Sequence, residues 1–381
     1  LPHSITTVHA SGVDAASTDG AAASTGASFK IGGIGPITGG AAVYGQAVKN
    51  AAEMAVEEIN AAGGINGTQI EFNFQDDEAD AEKSVNAYNS LKDWGMQMLV
   101  GTTTTAPCIA VAGKTASDNV FQITPSASSP DVLSSGNGNV FQVCFTDPNQ
   151  GVASAQYIAE NKLATKVAII YNSSDTYSSG IYQTFATEAK AKGLDVVAAE
   201  AFTAGNMTDF SVQLMKAQSS GADLVFLPIY YQEASIILKQ PDTMGYKPKF
   251  FGVDGMDGIL TVENFDTKLA EDVMLLTPFA ADAKDKTVQN FVKTYKEKYK
   301  DTPNQFAADT YDVIYAMKAA ADAGTAFVFM GHGTSHTAKV SYSQMQTQME
   351  QLGYDNVFIG TVEGEPEDTS CESVIEKVAL T

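Results

Sequence analysis

The sequence predicts an α/β fold of two Rossmann-like lobes, each built on a parallel sheet, joined by a multi-crossing hinge. Short apolar runs alternate with helix-length segments along most of the chain, a pattern typical of parallel sheets covered by helices. The chain has 381 residues, which is too long for one core of ordinary size. A run of turn-forming residues, Asp147-Pro148-Asn149-Gln150-Gly151, interrupts the alternation. The cleft between two such lobes is the expected binding site, because ligands of open α/β sheets bind outside the carboxyl ends of the strands.

The first strand and the first helix show the two periodicities that the fold requires. Residues 29–34 form a short apolar run, and the helix after them carries Val48, Ala52, Ala55 and Ile59 on one stripe. Later runs of the same kind predict strands at 69–74, 96–100, 140–145, 166–171, 195–199, 223–227 and 249–252. Apolar positions at helical spacing predict helices at 79–94, 285–299 and 305–321.

These elements divide the chain into four parts. Residues 1–28 are rich in Ala, Ser, Thr and Gly, and we expect a flexible leader or tether with a processed or engineered N-terminus. Lobe 1 is predicted at 29–147 and 277–324, and lobe 2 at 148–276, with a second crossing near Pro278. Residues 325–381 are predicted to form a β-α-β-α segment whose placement relative to the lobes the sequence leaves open. No run approaches the ~20 apolar residues of a membrane span.

The charge composition excludes one class of partner. The formal net charge is −22, from 45 acidic and 23 basic residues, and every basic residue is lysine. Proteins that bind nucleic acid depend heavily on arginine for phosphate and guanine contacts, so no nucleic-acid partner is expected. Without arginine, an anionic ligand must be held by hydroxyls, backbone N–H groups or lysine.

Two hydroxyl-rich turns follow neighbouring predicted strands of lobe 1. The first, which we call the threonine turn, contains Thr102 to Thr105. The second, the serine turn, contains Ser126, Ser128 and Ser129. Hydroxyls at a helix start cap its free N–H groups, and the same N–H groups attract anions. Each turn by itself is explained by ordinary capping, whereas two of them at one sheet edge favour a carboxylate site.

In lobe 2, polar and aromatic residues follow the strands. Tyr177, Tyr230 and Tyr231 are candidate walls for an organic ligand, and Asp254 is a candidate partner for an ammonium group. The alternative for Asp254 is a turn or cap residue, which the following Gly255 favours.

Residues 29 to about 324 resemble the type I periplasmic binding proteins, specifically the Leu/Ile/Val-binding proteins of ABC transporters. The similarity lies in GIGPITGGAAVYG, AVEEINAAGGINGTQIEFNFQDDEAD, ITPSASSPDV, DTYSSGIY, LPIYYQEASIILKQ and FFGVDG. The resemblance implies that Thr105 and Ser128 supply hydroxyls for the ligand carboxylate and that the Ser126 carbonyl meets the ammonium. It implies that Asp254 pairs with the ammonium, although better-known members have Glu there. The implied wall tyrosines are Tyr44, Tyr177 and Tyr230.

The cysteines differ from the better-known disulfide of this family. Cys108 opens the helix after the threonine turn, and Cys144 is placed on a later predicted strand, 36 positions along the chain. A disulfide between them would stabilise the fold by ~3–4 kcal/mol in the chain-entropy model. Two buried free thiols are the alternative.

The C-terminal segment resembles a different family, the anaerobic (sirohydrochlorin) cobaltochelatases. The similarity lies in Gly331-His332-Gly333-Thr334 and in the VEGEP sequence that contains Glu363. It implies that His332 and Glu363 are metal ligands, with His336 nearby, and imidazole plus carboxylate suits first-row metals. The third ligand of that family is a downstream histidine, and no histidine follows His336 in this sequence. A glycine-rich loop with surface histidines is the alternative that we favour.

The sequence therefore predicts a non-enzymatic, extracytoplasmic solute-binding protein without a cofactor, periplasmic or a cell-surface lipoprotein. It is expected to be a monomer, to meet the membrane only through its tether, and to deliver a branched-chain or other apolar amino acid to an ABC permease. Two alternatives are a metal-binding or chelatase-related protein acting through His332 and Glu363, and an amino-acid sensor of the same fold.

Overall fold

The computed structural model describes residues 28–205 and 207–321, together with the backbone of Phe327–His332 and Val357–Val362. It contains two five-stranded sheets in which all paired strands are parallel. The strand orders are β2-β1-β3-β4-β5 in the first sheet and β10-β9-β8-β6-β7 in the second. The predicted fold class is confirmed.

Lobe 1 is built on the first sheet. Its strands are β1 (Phe29–Gly35), β2 (Ile70–Asp76), β3 (Met98–Gly101), β4 (Phe121–Thr124) and β5 (Val140–Gln142). The helices between them are α1 (Ala42–Ala61), α2 (Ala81–Trp94), α3 (Thr105–Asp118) and α4 (Asp131–Ser135). The predicted apolar stripe of α1 is buried, and Gly63 and Gly64 end the helix with φ values of 110° and 79°, which favour glycine.

Lobe 2 is built on the second sheet. Its strands are β6 (Lys166–Asn172), β7 (Asp195–Phe202), β8 (Leu224–Leu227), β9 (Lys249–Gly252) and β10 (Met274–Leu275). Its helices are α5 (Asp147–Glu160), α6 (Thr176–Ala191), α7 (Ser211–Ser219) and α8 (Tyr231–Ile237). Short 3₁₀ turns occur at Pro241–Met244, Asp254–Met256, Ile259–Thr261 and Thr267–Ala270.

The chain then returns to lobe 1. After β10, helices α9 (Lys286–Tyr299) and α10 (Gln305–Ala321) both pack against α1, and α10 also contacts β3. The predicted residue boundaries of the lobes and of the leader stay predictions. Two further strands, β11 (Phe327–His332) and β12 (Val357–Val362), pair in parallel with each other. None of the helices in the described residues has the length and apolar composition needed to cross a membrane.

One predicted strand is shorter than expected. The prediction was a strand at 140–145, but β5 ends at Gln142, which pairs with Thr124, the last residue of β4. Because β4 ends at Thr124, only isolated backbone hydrogen bonds follow, from Val143 N–H to Thr124 and from Asp147 N–H to Ser128. Cys144 therefore lies after the strand, and its predicted place on a strand is wrong.

The parallel topology positions the functional residues. In both sheets the loops that leave the carboxyl ends of the strands carry the polar residues that the sequence singled out. The threonine turn follows β3, the serine turn follows β4, Tyr230 follows β8 and Asp254 follows β9. Since parallel strands end at one edge of their sheet, each lobe presents these groups on a single side.

A substitution at Gly45 tests the close packing at the start of α1. A Cβ atom added at Gly45 would lie 1.9 Å from the backbone carbonyl oxygen of Pro36, which cannot move as a side chain can. We expect Gly45→Ala to lower the free energy of unfolding by about 1–3 kcal/mol in urea titrations. Gly113→Ala in α3 is the matched control, since among the described residues no atom beyond its own stretch of helix lies within 4 Å of its added Cβ. Equal stabilities of the two variants would contradict this packing.

Candidate functional site

A small pocket lies between the carboxyl edges of the two sheets. Its volume is about 10 Å³, room for about one water molecule, so the two lobes are closed on each other in this arrangement. Lobe 1 and α10 supply Tyr44, Thr103, Thr104, Thr105, Ser126 and Phe306, and lobe 2 supplies Tyr177, Tyr230, Asp254 and Gly255. A ligand bound between these groups would therefore touch both lobes.

A wider cavity, about 480 Å³ in volume, lies beside the start of α1 and the residues around Leu260. It is lined neither by the hydroxyl turns nor by Asp254. We place the candidate site in the smaller pocket, because the polar groups converge there.

The lobe 1 side of the pocket presents hydroxyls and a helix start. Thr104 is the residue before α3, makes no side-chain cap, and has a buried hydroxyl without a partner in the described residues. Thr105 is the first residue of α3 and is buried. The hydroxyl of Ser126 donates to the carbonyl of Thr103 at 2.6 Å, which fixes the two turns against each other. A free hydroxyl beside uncapped helix N–H groups can bind a carboxylate.

The lobe 2 side presents the carboxylate of Asp254. The hydroxyl of Tyr177 donates to its Oδ1 at 2.5 Å and accepts from the backbone N–H of Gly255 at 2.9 Å. Asp254 is only 4% exposed and forms no ion pair with any described residue. Burial raises the pKa of Asp254 to about 6, opposed by the hydrogen bond from Tyr177. This carboxylate can accept a ligand cation.

Aromatic rings form the walls between the two polar ends. The ring of Tyr44 stacks on Phe306, with centroids 4.2 Å apart, and meets Tyr230 edge-on at 5.3 Å. Tyr230 in turn lies 5.0 Å from Tyr177. These walls can enclose an apolar group.

Tyr44 also joins the lobes over the pocket. Its hydroxyl donates to the carbonyl of Gly255 and accepts from the backbone N–H of Tyr231 at 3.3 Å. The hydroxyl of Tyr231 accepts from the N–H of Val43 at 3.2 Å. The hydroxyl of Tyr44 is therefore engaged with protein, and only its ring is available to a ligand.

The structure brings six of the seven predicted ligand-binding residues into the pocket lining and leaves out one. Ser128 is buried outside the lining, and its carbonyl accepts from the N–H of Asp147 at 3.0 Å. Asp147, at the start of α5, was identified from the sequence only as a turn residue. It is 1% exposed, and within the described residues no hydrogen bond of ordinary geometry reaches either carboxylate oxygen, although the Ser128 side chain lies close enough to oppose the rise in its pKa. Burial raises the pKa of Asp147 to about 8, and the negative charge of Asp254 adds to the effect.

The predicted disulfide is not formed. Cys108 and Cys144 are both free thiols. The buried Sγ of Cys108 donates to the carbonyl of Gly101 at 3.8 Å and accepts from the amide of Gln122 at 3.5 Å. Burial raises the pKa of Cys108 to about 12, so this thiol stays protonated and unreactive.

The predicted metal ligands fall largely outside the described residues. His332 is the last residue of β11 and pairs in register with Val362, the residue before Glu363. Glu363, His336 and the leader up to residue 27 lie outside the described residues. Within those that are described, no group of three or more His, Cys, Asp and Glu residues is arranged to hold a metal ion.

Comparisons with known proteins agree with this architecture. A family model described as periplasmic binding protein matches residues 28–371. Leu/Ile/Val-binding protein homolog 3 of Brucella melitensis is 33% identical over 65% of this chain and 66% of the relative. Leu/Ile/Val-binding protein BraC3 of Rhizobium johnstonii is 33% identical over 60% and 62%. The chain thus matches slightly less than two thirds of the length of these relatives.

Solved structures show the same likeness. The branched-chain amino acid transporter substrate binding protein LivJ from Streptococcus pneumoniae, in complex with isoleucine, has a TM-score of 0.73 and 30% identity. The match covers 78% of this chain and 84% of that one. The leucine binding protein LivK from Thermotoga maritima has a TM-score of 0.68 and 27% identity, with 77% and 83% covered.

The buried Asp147 predicts how stability depends on pH. The pKa of its carboxyl group is about 8 in the folded protein, against an ordinary value of 3.8. Between pH 4 and pH 8 this carboxyl group is therefore protonated in the folded state and ionised in the unfolded state. Stability of the ligand-free protein should therefore fall as pH rises from 4 to 8. We expect Asp147→Asn to reduce this fall and to stabilise the protein at pH 8 by roughly 1–3 kcal/mol in urea titrations.

Asp93→Asn, at an exposed position of α2, is the control for the substitution itself and should leave the free energy of unfolding at pH 8 within about 0.5 kcal/mol of that of the unsubstituted protein. An Asp147→Asn profile as steep as that of the unsubstituted protein would contradict the burial of this carboxyl group.

Proposed function

This chain belongs to the periplasmic binding protein family, and from that premise we propose that it captures a free amino acid between its two lobes. The amino acid is apolar, with leucine, isoleucine and valine as the first candidates. The protein acts outside the cytoplasm, performs no chemistry on its ligand, and delivers it to an ABC permease. It works as a monomer, held near the membrane by the leader of residues 1–28.

The main support for the proposal is that one small pocket has hydroxyl and N–H donors at one end and a carboxylate at the other. The Thr103 to Thr105 turn offers hydroxyls and helix N–H groups, and Asp254 offers a buried carboxylate. A zwitterionic amino acid has the complementary pair of groups, a carboxylate and an ammonium. Because the chain has no arginine, the helix start is the natural place for the ligand carboxylate.

The aromatic walls support the choice of an apolar side chain. Tyr44, Tyr230 and Phe306 surround the space between the polar ends with rings, and the hydroxyl of Tyr44 is already engaged. A side chain against these rings gains by leaving water, at about 25 cal/mol per Å² of apolar surface. Two similar relatives are named as Leu/Ile/Val-binding proteins, and a similar solved structure contains isoleucine.

Capture requires that the ligand favour the closed arrangement of the lobes. Its carboxylate would contact lobe 1 and its ammonium would contact Asp254 of lobe 2, so both contacts exist only when the lobes meet. Differential binding of this kind shifts an open–closed equilibrium towards the closed form. The cross-lobe hydrogen bonds of Tyr44 and Tyr231 add to the closed state.

Asp254→Asn tests the ammonium contact. The substitution keeps the shape of the side chain but removes its charge, so the buried ligand ammonium would lose its partner. We expect the Kd for L-leucine to rise by about 10²–10³-fold in calorimetry, corresponding to the ~3–5 kcal/mol cost of breaking a buried ion pair.

Asp312→Asn is the matched control. Asp312 lies in α10 outside the pocket lining, and burial raises its pKa to about 6 as it does that of Asp254. Its Kd for L-leucine should stay unchanged. Unaltered leucine binding by Asp254→Asn would remove the main support for the proposed function.

The affinity should also depend on pH through Asp254. Its pKa is about 6 in the free protein, and a ligand ammonium favours the ionised form. Binding therefore releases a proton near this pH, and affinity for L-leucine falls about tenfold for each pH unit below 6. Calorimetry from pH 7 to pH 5 checks the slope, which should be reduced in Asp254→Asn. A pH-independent Kd in the unsubstituted protein would contradict the role of this carboxylate.

A further inference from the structure

Two buried glutamines bind the backbone of Asp254. The side-chain Oε1 of Gln150 accepts from the N–H of Asp254 at 3.1 Å. The side-chain Nε2 of Gln305 donates to the carbonyl oxygen of Asp254 at 2.8 Å. Gln150 is fully buried and Gln305 is 3% exposed. Both backbone polar groups of the same residue are thus held by side chains that are distant in sequence.

The two glutamines reach Asp254 from different lobes. Gln150 lies in α5, the first helix of lobe 2, whereas Gln305 is the first residue of α10, which packs on α1 and β3 of lobe 1. The backbone N–H of Gln305 also donates to Oδ2 of Asp257 at 2.9 Å. The start of α10 therefore holds the short turn that contains Asp254 at two points.

This turn has little structure of its own to keep Asp254 in place. Asp254–Met256 is a three-residue 3₁₀ turn, and its local hydrogen bonds are Met256 N–H to Val253 and Asp257 N–H to Asp254. An aspartate side chain has only two rotatable bonds, so the position of its carboxylate follows the backbone. A binding group works only when held within ~0.5 Å of its productive position, usually by a supporting layer of hydrogen bonds.

We propose that Gln305, assisted by Gln150, is a positioning residue for the ammonium subsite. Gln305 acts through Asp254 and does not touch the ligand, since it is absent from the pocket lining. The bond from α10 fixes the carboxylate of lobe 2 relative to the carboxylate-binding turn of lobe 1. The inference rests on the proposed function, because it requires Asp254 to bind a ligand ammonium.

The test compares two ligands that differ only in the ammonium group, L-leucine and 4-methylpentanoate. Gln305→Met keeps the length and burial of the side chain and removes the amide donor. We expect its Kd for L-leucine to rise about 5- to 20-fold in calorimetry, with the Kd for 4-methylpentanoate unchanged. Gln150→Met should act in the same direction. In an Asp254→Asn background, Gln305→Met should cause no further loss of leucine affinity.

Gln213→Met is the matched control, because Gln213 is also buried and donates its amide to a backbone carbonyl, that of Ala201, away from the pocket. It should leave both affinities unchanged. If Gln305→Met does not fold, Gln305→Asn keeps the amide on a shorter side chain and should show the same selective loss.

An unchanged leucine Kd in the folded Gln305 variants, or equal losses for both ligands, would overturn the positioning role. Failure of the proposed function is a separate result: the Asp254→Asn variant would then bind leucine as tightly as the unsubstituted protein.

Discussion

The arrangement of the site depends on one buried carboxylate, that of Asp254, which has no cation partner among the described residues. Moving a charge out of water costs several kcal/mol unless an opposite charge or hydrogen bonds compensate it. Here the protein supplies a hydrogen bond from Tyr177, and burial still raises the pKa of the carboxyl group. A ligand ammonium would complete the compensation, so the proposed site gains most from a cationic group placed beside Asp254.

The parallel sheets make this pocket possible. Each lobe collects polar loops at the carboxyl ends of its strands, and the two edges face each other with the hydroxyl turns on one side and Asp254 on the other. Aromatic rings lie between these two polar ends. Helix α10 then links the lobes, since it packs on α1 while its first residue binds the turn of Asp254.

Sequence reasoning predicted the fold correctly, and six of its seven candidate ligand-binding residues line one pocket, because strand–helix alternation and residues directly after strands can be read from the sequence. It missed features that depend on the direction of a residue in the folded chain or on contacts between distant residues. Ser128 follows β4 as Ser126 does, yet it faces Asp147 outside the pocket. Asp147 belongs to a run of turn-forming residues in the sequence, and its burial comes from the packing of helices in the fold. Phe306, Gln150 and Gln305 lack any local signal, since each acts on residues far away in the chain. Thr104 could have been predicted as a binding residue, because it lies in the threonine turn beside Thr105.

The most direct test of the account is a thermal-shift screen of the protein, stripped of carried-over ligand by partial unfolding, against the twenty amino acids and Co²⁺, Ni²⁺ and Zn²⁺. A ligand at 100 times its Kd stabilises the folded state by about 2.7 kcal/mol, a shift that such a screen resolves. The account predicts that leucine, isoleucine or valine raises the melting temperature and that the metals do not. A shift with a metal and with none of the amino acids would contradict it.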